Sequence, residues 1–123
     1  MALNKKIRSF RYALTGLRIA WREEFNFRFE VVCGVLALLL AWFLHLPLDE
    51  LLIVAFLVGF VLSAEAMNTA FEELCDKFQP SHDPHIAKIK DLAAAAVFIA
   101  AVTALIVGCI IFIPHVLSFF TWQ

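Results

Sequence analysis

The sequence predicts an all-α membrane protein, with an N-terminal amphipathic surface helix and three transmembrane helices in one domain, residues 1–123. Two observations support this fold class. Of the 123 residues, 63% are hydrophobic and the mean hydropathy is +0.85, whereas soluble domains are usually about 45–50% apolar. The second observation is a set of three long apolar segments, each close to the roughly 20 residues that cross about 30 Å of hydrocarbon.

The predicted surface helix occupies residues 1–24. Its apolar residues recur at alternating spacings of four and three, which places them along one side of a helix. They are Leu3, Ile7, Phe10, Leu14, Leu17 and Trp21. Most of the basic residues fall off this stripe: Lys5, Lys6, Arg8, Arg11, Arg18 and Arg22. A helix with one apolar and one basic face lies in the membrane interface. It also fits a calmodulin target, but the apolar segments that follow argue against that interpretation.

The transmembrane helices are predicted at about 28–48, 50–76 and 90–113. The first apolar segment closes at Pro47, and the second continues from Leu51 to Asp76 without a turn signal. The third is expected to end at Pro114, since proline lacks the backbone N–H that continues a helix. Residues 79–85, which include two prolines, form the predicted loop between the second and third spans.

The placement of lysine and arginine predicts the orientation of these spans. Basic residues are concentrated before the first span and between the second and third, where Lys77, Lys88 and Lys90 lie. The turn at 45–50 and the residues after Pro114 carry no lysine or arginine. Because basic loops tend to stay in the cytoplasm, we expect the N-terminus in the cytoplasm and the C-terminus outside.

A polar face interrupts the second span. The segment from Leu51 to Ala64 carries no charge, and Glu65 follows it directly. A charged side chain at the centre of a membrane helix costs roughly 2.5–3.5 kcal/mol on insertion scales, so such residues usually line a site or a pathway. At about 3.6 residues per turn, one helical face carries Glu65, Asn68, Thr69, Glu72 and Asp76.

These side chains suit phosphoryl transfer to a lipid hydroxyl. Glu65, in a setting of low dielectric, can take up the hydroxyl proton. Mg²⁺ is commonly bound by one or two carboxylates together with substrate phosphates, and Glu24 and Glu72 can provide that pair. Lys90 can bind phosphate charge at the start of the third span. The sequence contains no glycine-rich phosphate loop, and its net charge of -1 gives no indication of nucleic acid as a partner.

Simpler interpretations of the same residues stay open. Glu65 can hydrogen-bond a neighbouring helix, Glu24 can pair with Arg22 or Arg28, and Lys90 can be an anchor at the membrane interface. Two other functions are open as well. One is a small oligomeric ion- or proton-coupled membrane transporter, in which a midmembrane glutamate binds the ion. The other is a non-enzymatic assembly subunit.

Two sequence blocks combine the polar residues of the second and third spans. They are Glu65-x-x-Asn68-Thr69-Ala70-Phe71-Glu72-x-x-x-Asp76 and Lys90-Asp91-x-Ala-Ala-x-Ala-Val97. In combination, these blocks resemble the prokaryotic diacylglycerol kinase family, which comprises small three-span lipid kinases and includes undecaprenol kinases. The elements Ala13-Leu14-Thr15-Gly16 and Glu24-x-Asn26-x-Arg28 are similar as well, so the resemblance runs from about Phe10 to Pro114.

The resemblance implies a homotrimer in the bacterial cytoplasmic membrane, with active sites at the cytoplasmic interface between subunits. It implies ATP as cosubstrate, Mg²⁺ as cofactor and a lipid alcohol as acceptor. The N-terminal elements look more like undecaprenol kinases than diacylglycerol kinases, so undecaprenol is favoured over diacylglycerol. Two positions depart from that pattern: Glu30 stands where undecaprenol kinases tend to have histidine, and Ala95 stands at a usual glycine position.

The resemblance also assigns roles to individual residues. By matching position, these are Glu65 as catalytic base, Glu24 and Glu72 as metal-binding carboxylates, Asn68 as site amide, Lys90 as nucleotide phosphate contact and Asp91 as its organising partner. All of them except Glu65 are thereby expected to bind ATP together with Mg²⁺.

Overall fold

The computed structural model describes residues 1–79 and 81–122, so Pro80 of the predicted loop and Gln123 lie outside the described residues. Four helices follow one another along the chain: α1 (Ala2–Glu23), α2 (Phe25–Phe43), α3 (Leu48–Phe78) and α4 (Pro84–Thr121). The last three are each long and apolar enough to cross a membrane. The prediction of an all-helical protein with three candidate spans is therefore confirmed. The membrane-surface location of α1 and the homotrimer stay predictions.

The connections between the helices are short and locally determined. Glu24 alone separates α1 from α2, in an extended conformation with φ −103° and ψ 112°. Between α2 and α3, His45 has a positive φ of 56°, a conformation that is uncommon for residues other than glycine. The Asp83 carboxylate accepts hydrogen bonds from the backbone N–H groups of His85 (2.8 Å) and Ile86 (3.1 Å). These bonds cap the start of α4, where an aspartate is favoured.

The helix that was expected to end at Pro114 continues to Thr121, so that expectation is wrong. Proline removes one hydrogen bond from the helical ladder but does not prevent the following turns from being helical. Here those turns are held by contacts with other helices. The His115 side chain lies 2.6 Å from the Glu50 carboxylate of α3, and the Phe119 ring packs against Phe43 of α2 at a centroid distance of 5.6 Å.

Helix α3 lies between its two neighbours and contacts both α2 and α4, whereas α1 contacts α2. The approach of α2 to α3 is close at Gly34, where an added Cβ would lie 2.6 Å from Cγ1 of Val58. A small buried cluster joins the spans near the α2–α3 turn, formed by Ala41, Leu46, Val54 and Ile111. Many large apolar side chains elsewhere are exposed, an exposure that calls for lipid or another subunit to cover them.

Candidate active site

The polar face of α3 includes two side chains buried inside the protein. Glu65 is 4% exposed and Asn68 is 9% exposed, and they are the only buried polar or charged residues in the part of the chain that is described. The Asn68 amide donates a hydrogen bond to Oε1 of Glu72 over 3.3 Å. Helical spacing thus brings a carboxylate, an amide and a second carboxylate into one row, as expected from residues three to four apart.

The beginning of α2 faces this row and adds further acidic and amide groups. Glu24 and Glu72 both lie close enough to Glu65 for their negative charges to repel its carboxylate. The Glu30 carboxylate is also close enough to Glu65 for the two negative charges to repel each other. The Asn26 side chain lies near the Glu65 carboxylate, although the two form no hydrogen bond in the part of the chain that the structure describes. Glu65 therefore has three other carboxylates within range of its charge, where α2 and α3 meet.

Two oxygen atoms at this place are buried without a hydrogen-bond partner among residues 1–79 and 81–122: Oε2 of Glu30 and Oδ1 of Asn68. Buried polar atoms are partnered in the large majority of cases, and an exception calls for an explanation. A ligand, a metal ion or a group from another subunit would provide one. One of these oxygens belongs to the Glu30 carboxylate, and the other belongs to Asn68, whose amide bonds Glu72, so the junction of α2 and α3 is suited to receive a positively charged or hydrogen-donating group.

Lys90, in the second turn of α4, forms an ion pair with Asp76 near the end of α3, with a Nζ–Oδ1 distance of 2.9 Å. The expected organising partner of Lys90 was Asp91. Asp91 is exposed and belongs to neither of the two ion pairs found in the described residues. A cavity of about 420 Å³ opens beside the pair and is lined by residues that include Gln79, Asp83 and Asp91.

Arg28 does not neutralise the carboxylates. Its Nη1 atom donates hydrogen bonds to the backbone carbonyl oxygens of Trp21 (2.8 Å) and Arg22 (2.9 Å). The alternative that Glu24 pairs with Arg22 or Arg28 is wrong, since neither ion pair in the described residues includes them. The negative charge of Glu24 therefore stays available to an external cation.

The donor set fits Mg²⁺ only as a partial site. No group of three or more His, Cys, Asp or Glu side chains among the described residues is arranged to hold a metal ion. Glu24 and Glu72 provide two carboxylates near Glu65, and the Asn68 amide is hydrogen-bonded to one of them, Glu72. Because Mg²⁺ commonly takes one or two carboxylates and completes its shell with water and substrate phosphates, this set suits a metal that arrives with a nucleotide.

Comparison with known proteins shows to which family the chain belongs. Residues 11–112 match the family described as prokaryotic diacylglycerol kinase. The chain belongs to the prokaryotic diacylglycerol kinase family. This match confirms the resemblance predicted from the residues and makes the protein a lipid kinase. The matched range includes all six residues to which the resemblance assigned a role: Glu24, Glu65, Asn68, Glu72, Lys90 and Asp91.

Three relatives illustrate the range of this lipid kinase family. The undecaprenol kinase of Bacillus subtilis (strain 168) is 35% identical over 112 residues, which cover 91% of each chain. The diacylglycerol kinase of Synechocystis sp. is 38% identical over 111 residues, which cover 89% of this chain and 63% of the relative. The diacylglycerol kinase of Escherichia coli (strain K12) is 32% identical over 109 residues, which cover 89% of each chain.

Three residues of this kinase that received no individual role in the prediction lie at the site or beside it. Asn26 and Glu30 come from α2, and Asp76 holds Lys90. Asp76 was already on the predicted polar face of α3, and helical spacing could have indicated a role for the other two. Asn26 and Glu30 are four residues apart and so share one face of a helix. Asp76 continues the face of α3 that begins at Glu65.

Proposed function

We propose that this protein is an ATP-dependent kinase that transfers the γ-phosphoryl group of ATP to a membrane lipid alcohol, with undecaprenol as the favoured acceptor. The reaction would take place at the carboxylate-rich junction of α2 and α3, in the bacterial cytoplasmic membrane. The N-terminus would lie in the cytoplasm, where ATP is found, and the C-terminus outside. The observation that carries this proposal is the buried Glu65, surrounded by the carboxylates of Glu24, Glu30 and Glu72 in a chain of the lipid kinase family.

Glu65 acts as the general base in this reaction. Its carboxylate accepts the proton of the lipid hydroxyl as that oxygen attacks the γ-phosphorus of ATP. The bond between the γ-phosphorus and the bridging oxygen breaks, and ADP leaves with the electron pair of that bond. Asn26 lies near Glu65, so its amide would orient the carboxylate by forming a hydrogen bond with it once the substrates are bound.

The remaining polar residues act on the nucleotide. Glu24 and Glu72 would hold Mg²⁺, which, when bound, offsets the charge of the phosphates. Lys90 contributes a positive charge to the same phosphates, and Asp76 keeps its Nζ atom at the junction of α3 and α4 (2.9 Å). Phosphoryl transfer depends mostly on positioning and on electrostatic stabilisation of this kind.

A second copy of the chain would complete the site. In a single chain Glu24, Glu30 and Glu72 are only partly buried, and many large apolar side chains are exposed. In a homotrimer, a neighbouring subunit covers the open side of the site at the cytoplasmic interface. Helix α1, lying in the membrane surface, would cover the nucleotide and leave a lateral path for the lipid, as its apolar and basic faces suggest.

The proposal also includes a choice of acceptor, undecaprenol over diacylglycerol. Support for undecaprenol comes from the N-terminal elements Ala13–Gly16 and Glu24-x-Asn26 and from the Bacillus subtilis relative, which is named an undecaprenol kinase. The two other relatives described above are named diacylglycerol kinases. All three are named kinases, so none of them favours the alternative of an ion- or proton-coupled transporter.

The test is phosphorylation of both lipids side by side. Purified protein in mixed micelles receives ATP and either undecaprenol or diacylglycerol, with Mg²⁺ omitted as the control. We expect phosphate on undecaprenol, in a reaction that requires Mg²⁺. Phosphate on diacylglycerol alone would overturn the choice of acceptor, and phosphate on neither lipid would overturn the proposed reaction.

A further inference from the structure

Arg28 is placed to act on the end of α1, although it belongs to the first turn of α2. Its side chain turns back toward α1, and Nη1 donates to the carbonyl oxygens of Trp21 at 2.8 Å and Arg22 at 2.9 Å. The last carbonyl groups of a helix have no amide partner within that helix. Arg28 therefore caps the C-terminus of α1 with a charged donor, and hydrogen bonds from ionised groups are stronger than neutral ones.

Regular backbone hydrogen bonds of the two helices hold both backbone groups of Glu24. The Glu24 N–H donates to the carbonyl oxygen of Ala20 over 3.0 Å, and the Glu24 carbonyl accepts from the Arg28 N–H over 3.2 Å. The N–H and the carbonyl group of Glu24, the residue at the corner between α1 and α2, are thus both hydrogen-bonded. Any residue except proline at position 28 would form the bond from its amide, so the specific contribution of Arg28 is its guanidinium on α1.

We propose that Arg28 is a positioning residue that fixes the corner between α1 and α2 and thereby directs the Glu24 carboxylate toward Glu65 and Glu72. The inference rests on the proposed function, because it takes Glu24 as a ligand for the Mg²⁺ that accompanies ATP. Glu24 is the one residue between the helices. A change in the angle of the corner therefore moves its side chain more than it moves groups in the middle of α3.

The charge arrangement supports positioning rather than neutralisation. Arg28 belongs to neither ion pair of the described residues, so it organises Glu24 without cancelling its charge. A carboxylate that was paired with an arginine would bind a cation less well. By donating to carbonyl oxygens instead, Arg28 stabilises the corner and leaves the metal-binding charge intact.

The experiment compares three variants with the wild type in mixed micelles. Arg28→Gln removes the charged donor, and Arg28→Lys keeps a charge and part of the donor capacity. Arg22→Gln is the matched control, because it removes an equal charge from the same corner while the Arg22 carbonyl that Arg28 binds is kept. Two quantities are measured: the Mg²⁺ concentration that gives half-maximal turnover, and hydrogen–deuterium exchange of the amides in residues 20–24.

We expect Arg28→Gln to raise the half-saturating Mg²⁺ concentration by about 10- to 100-fold, the usual range for residues that orient metal ligands. At saturating Mg²⁺, turnover should fall by a smaller factor. Exchange in residues 20–24 should become faster, since the last turn of α1 loses its cap. Arg28→Lys should lie between Arg28→Gln and the wild type, and Arg22→Gln should leave both measurements near their wild-type values.

Wild-type Mg²⁺ dependence and wild-type exchange in Arg28→Gln would overturn the inference. Equal effects of Arg28→Gln and Arg22→Gln would overturn it too, because they would show that only the positive charge at the membrane surface matters. If Arg28→Gln does not fold, Arg28→Lys decides by the same two measurements. A wild type that phosphorylates no lipid would refute the proposed function alone, and the exchange comparison would still show whether Arg28 holds the corner.

Discussion

The two ends of the helical bundle use their polar groups in opposite ways. At one end, which we call the carboxylate end, Glu24, Glu30, Glu65 and Glu72 converge without a neutralising partner among them. At the other end, which we call the histidine end, Glu50 is paired with His115 at 2.6 Å. The contact between Phe43 and Phe119 and the buried apolar cluster also lie at the histidine end.

This difference indicates that the histidine end contributes mainly to stability and the carboxylate end mainly to catalysis. The hydrogen bond between Glu50 and His115 and packed apolar side chains hold the helices of the histidine end together. Like charges and unpartnered oxygens at the carboxylate end weaken the fold locally, and natural proteins tend to break the rules of stability at functional sites. The same substitution should therefore affect activity at one end and stability at the other.

The largest effect is expected for Glu65→Gln at the carboxylate end. Glutamine keeps the shape of the side chain but cannot accept the hydroxyl proton, and loss of a general base typically costs about 10²–10⁴-fold in rate. Turnover of purified protein with saturating ATP and lipid measures this loss, and size-exclusion chromatography should show an unchanged oligomer. Glu50→Gln at the histidine end is the matched control and should keep its turnover. Near-normal turnover of Glu65→Gln would refute the role of Glu65 as base.

A smaller effect, on stability, is expected at the close contact between α2 and α3. In Gly34→Ala, the new methyl group would lie 2.6 Å from Cγ1 of Val58. Valine has few alternative rotamers in a helix, so the helices must move apart, and overpacking of this kind costs about 1–3 kcal/mol. Thermal unfolding in micelles measures the change. The control is Gly59→Ala on α3, since a Cβ at Gly59 meets nothing within 4 Å.

The contact at Gly34 can be tested further by a second substitution. Adding Val58→Ala to Gly34→Ala makes room for the methyl group, so the double variant should recover part of the lost stability, as expected for residues in direct contact. A double variant that is less stable than either single variant would contradict the close approach of the two helices at this point.

At the histidine end, Glu50→Gln should lower stability. The substitution weakens a hydrogen bond between α3 and α4 that is partly buried, and such bonds contribute about 0.5–1.5 kcal/mol. The midpoint of thermal unfolding should fall, while the Mg²⁺ dependence of turnover stays as in the wild type. A shift in Mg²⁺ dependence would show that the two ends are coupled and would contradict the division of roles.

Much of the fold could be predicted from the sequence because the membrane restricts the possible structures. A chain in lipid must satisfy its backbone hydrogen bonds within each segment, so three long apolar segments imply three helices. Helical periodicity also placed Glu65, Asn68 and Glu72 on one face, and the hydrogen bond between Asn68 and Glu72 agrees with that placement.

What could not be predicted depends on contacts between segments that are distant in the sequence. The continuation of α4 past Pro114 relies on Glu50 and on Phe43, which lie on other helices. The choice of Asp76 as partner for Lys90 depends on how the ends of α3 and α4 meet. A spacing rule applies within one helix and cannot decide between partners on two.

The smallest effect is expected for Asp76→Asn, which removes the partner of Lys90. Their side chains are 36% (Lys90) and 66% (Asp76) exposed, and exposed ion pairs contribute at most about 1 kcal/mol. We therefore expect the KM for ATP to rise by no more than about fivefold, with kcat changed less, because Lys90 is present but less well oriented.

Glu73→Gln is the control, since it removes an equal charge from the same turn of α3. If both variants raise KM equally, the effect comes from the loss of negative charge and not from the position of Lys90. If only Asp76→Asn raises KM, the carboxylate end extends past its four glutamates to the junction of α3 and α4. In that case the ion pair of Lys90 and Asp76 contributes to substrate binding, whereas the pair of Glu50 and His115 contributes to stability.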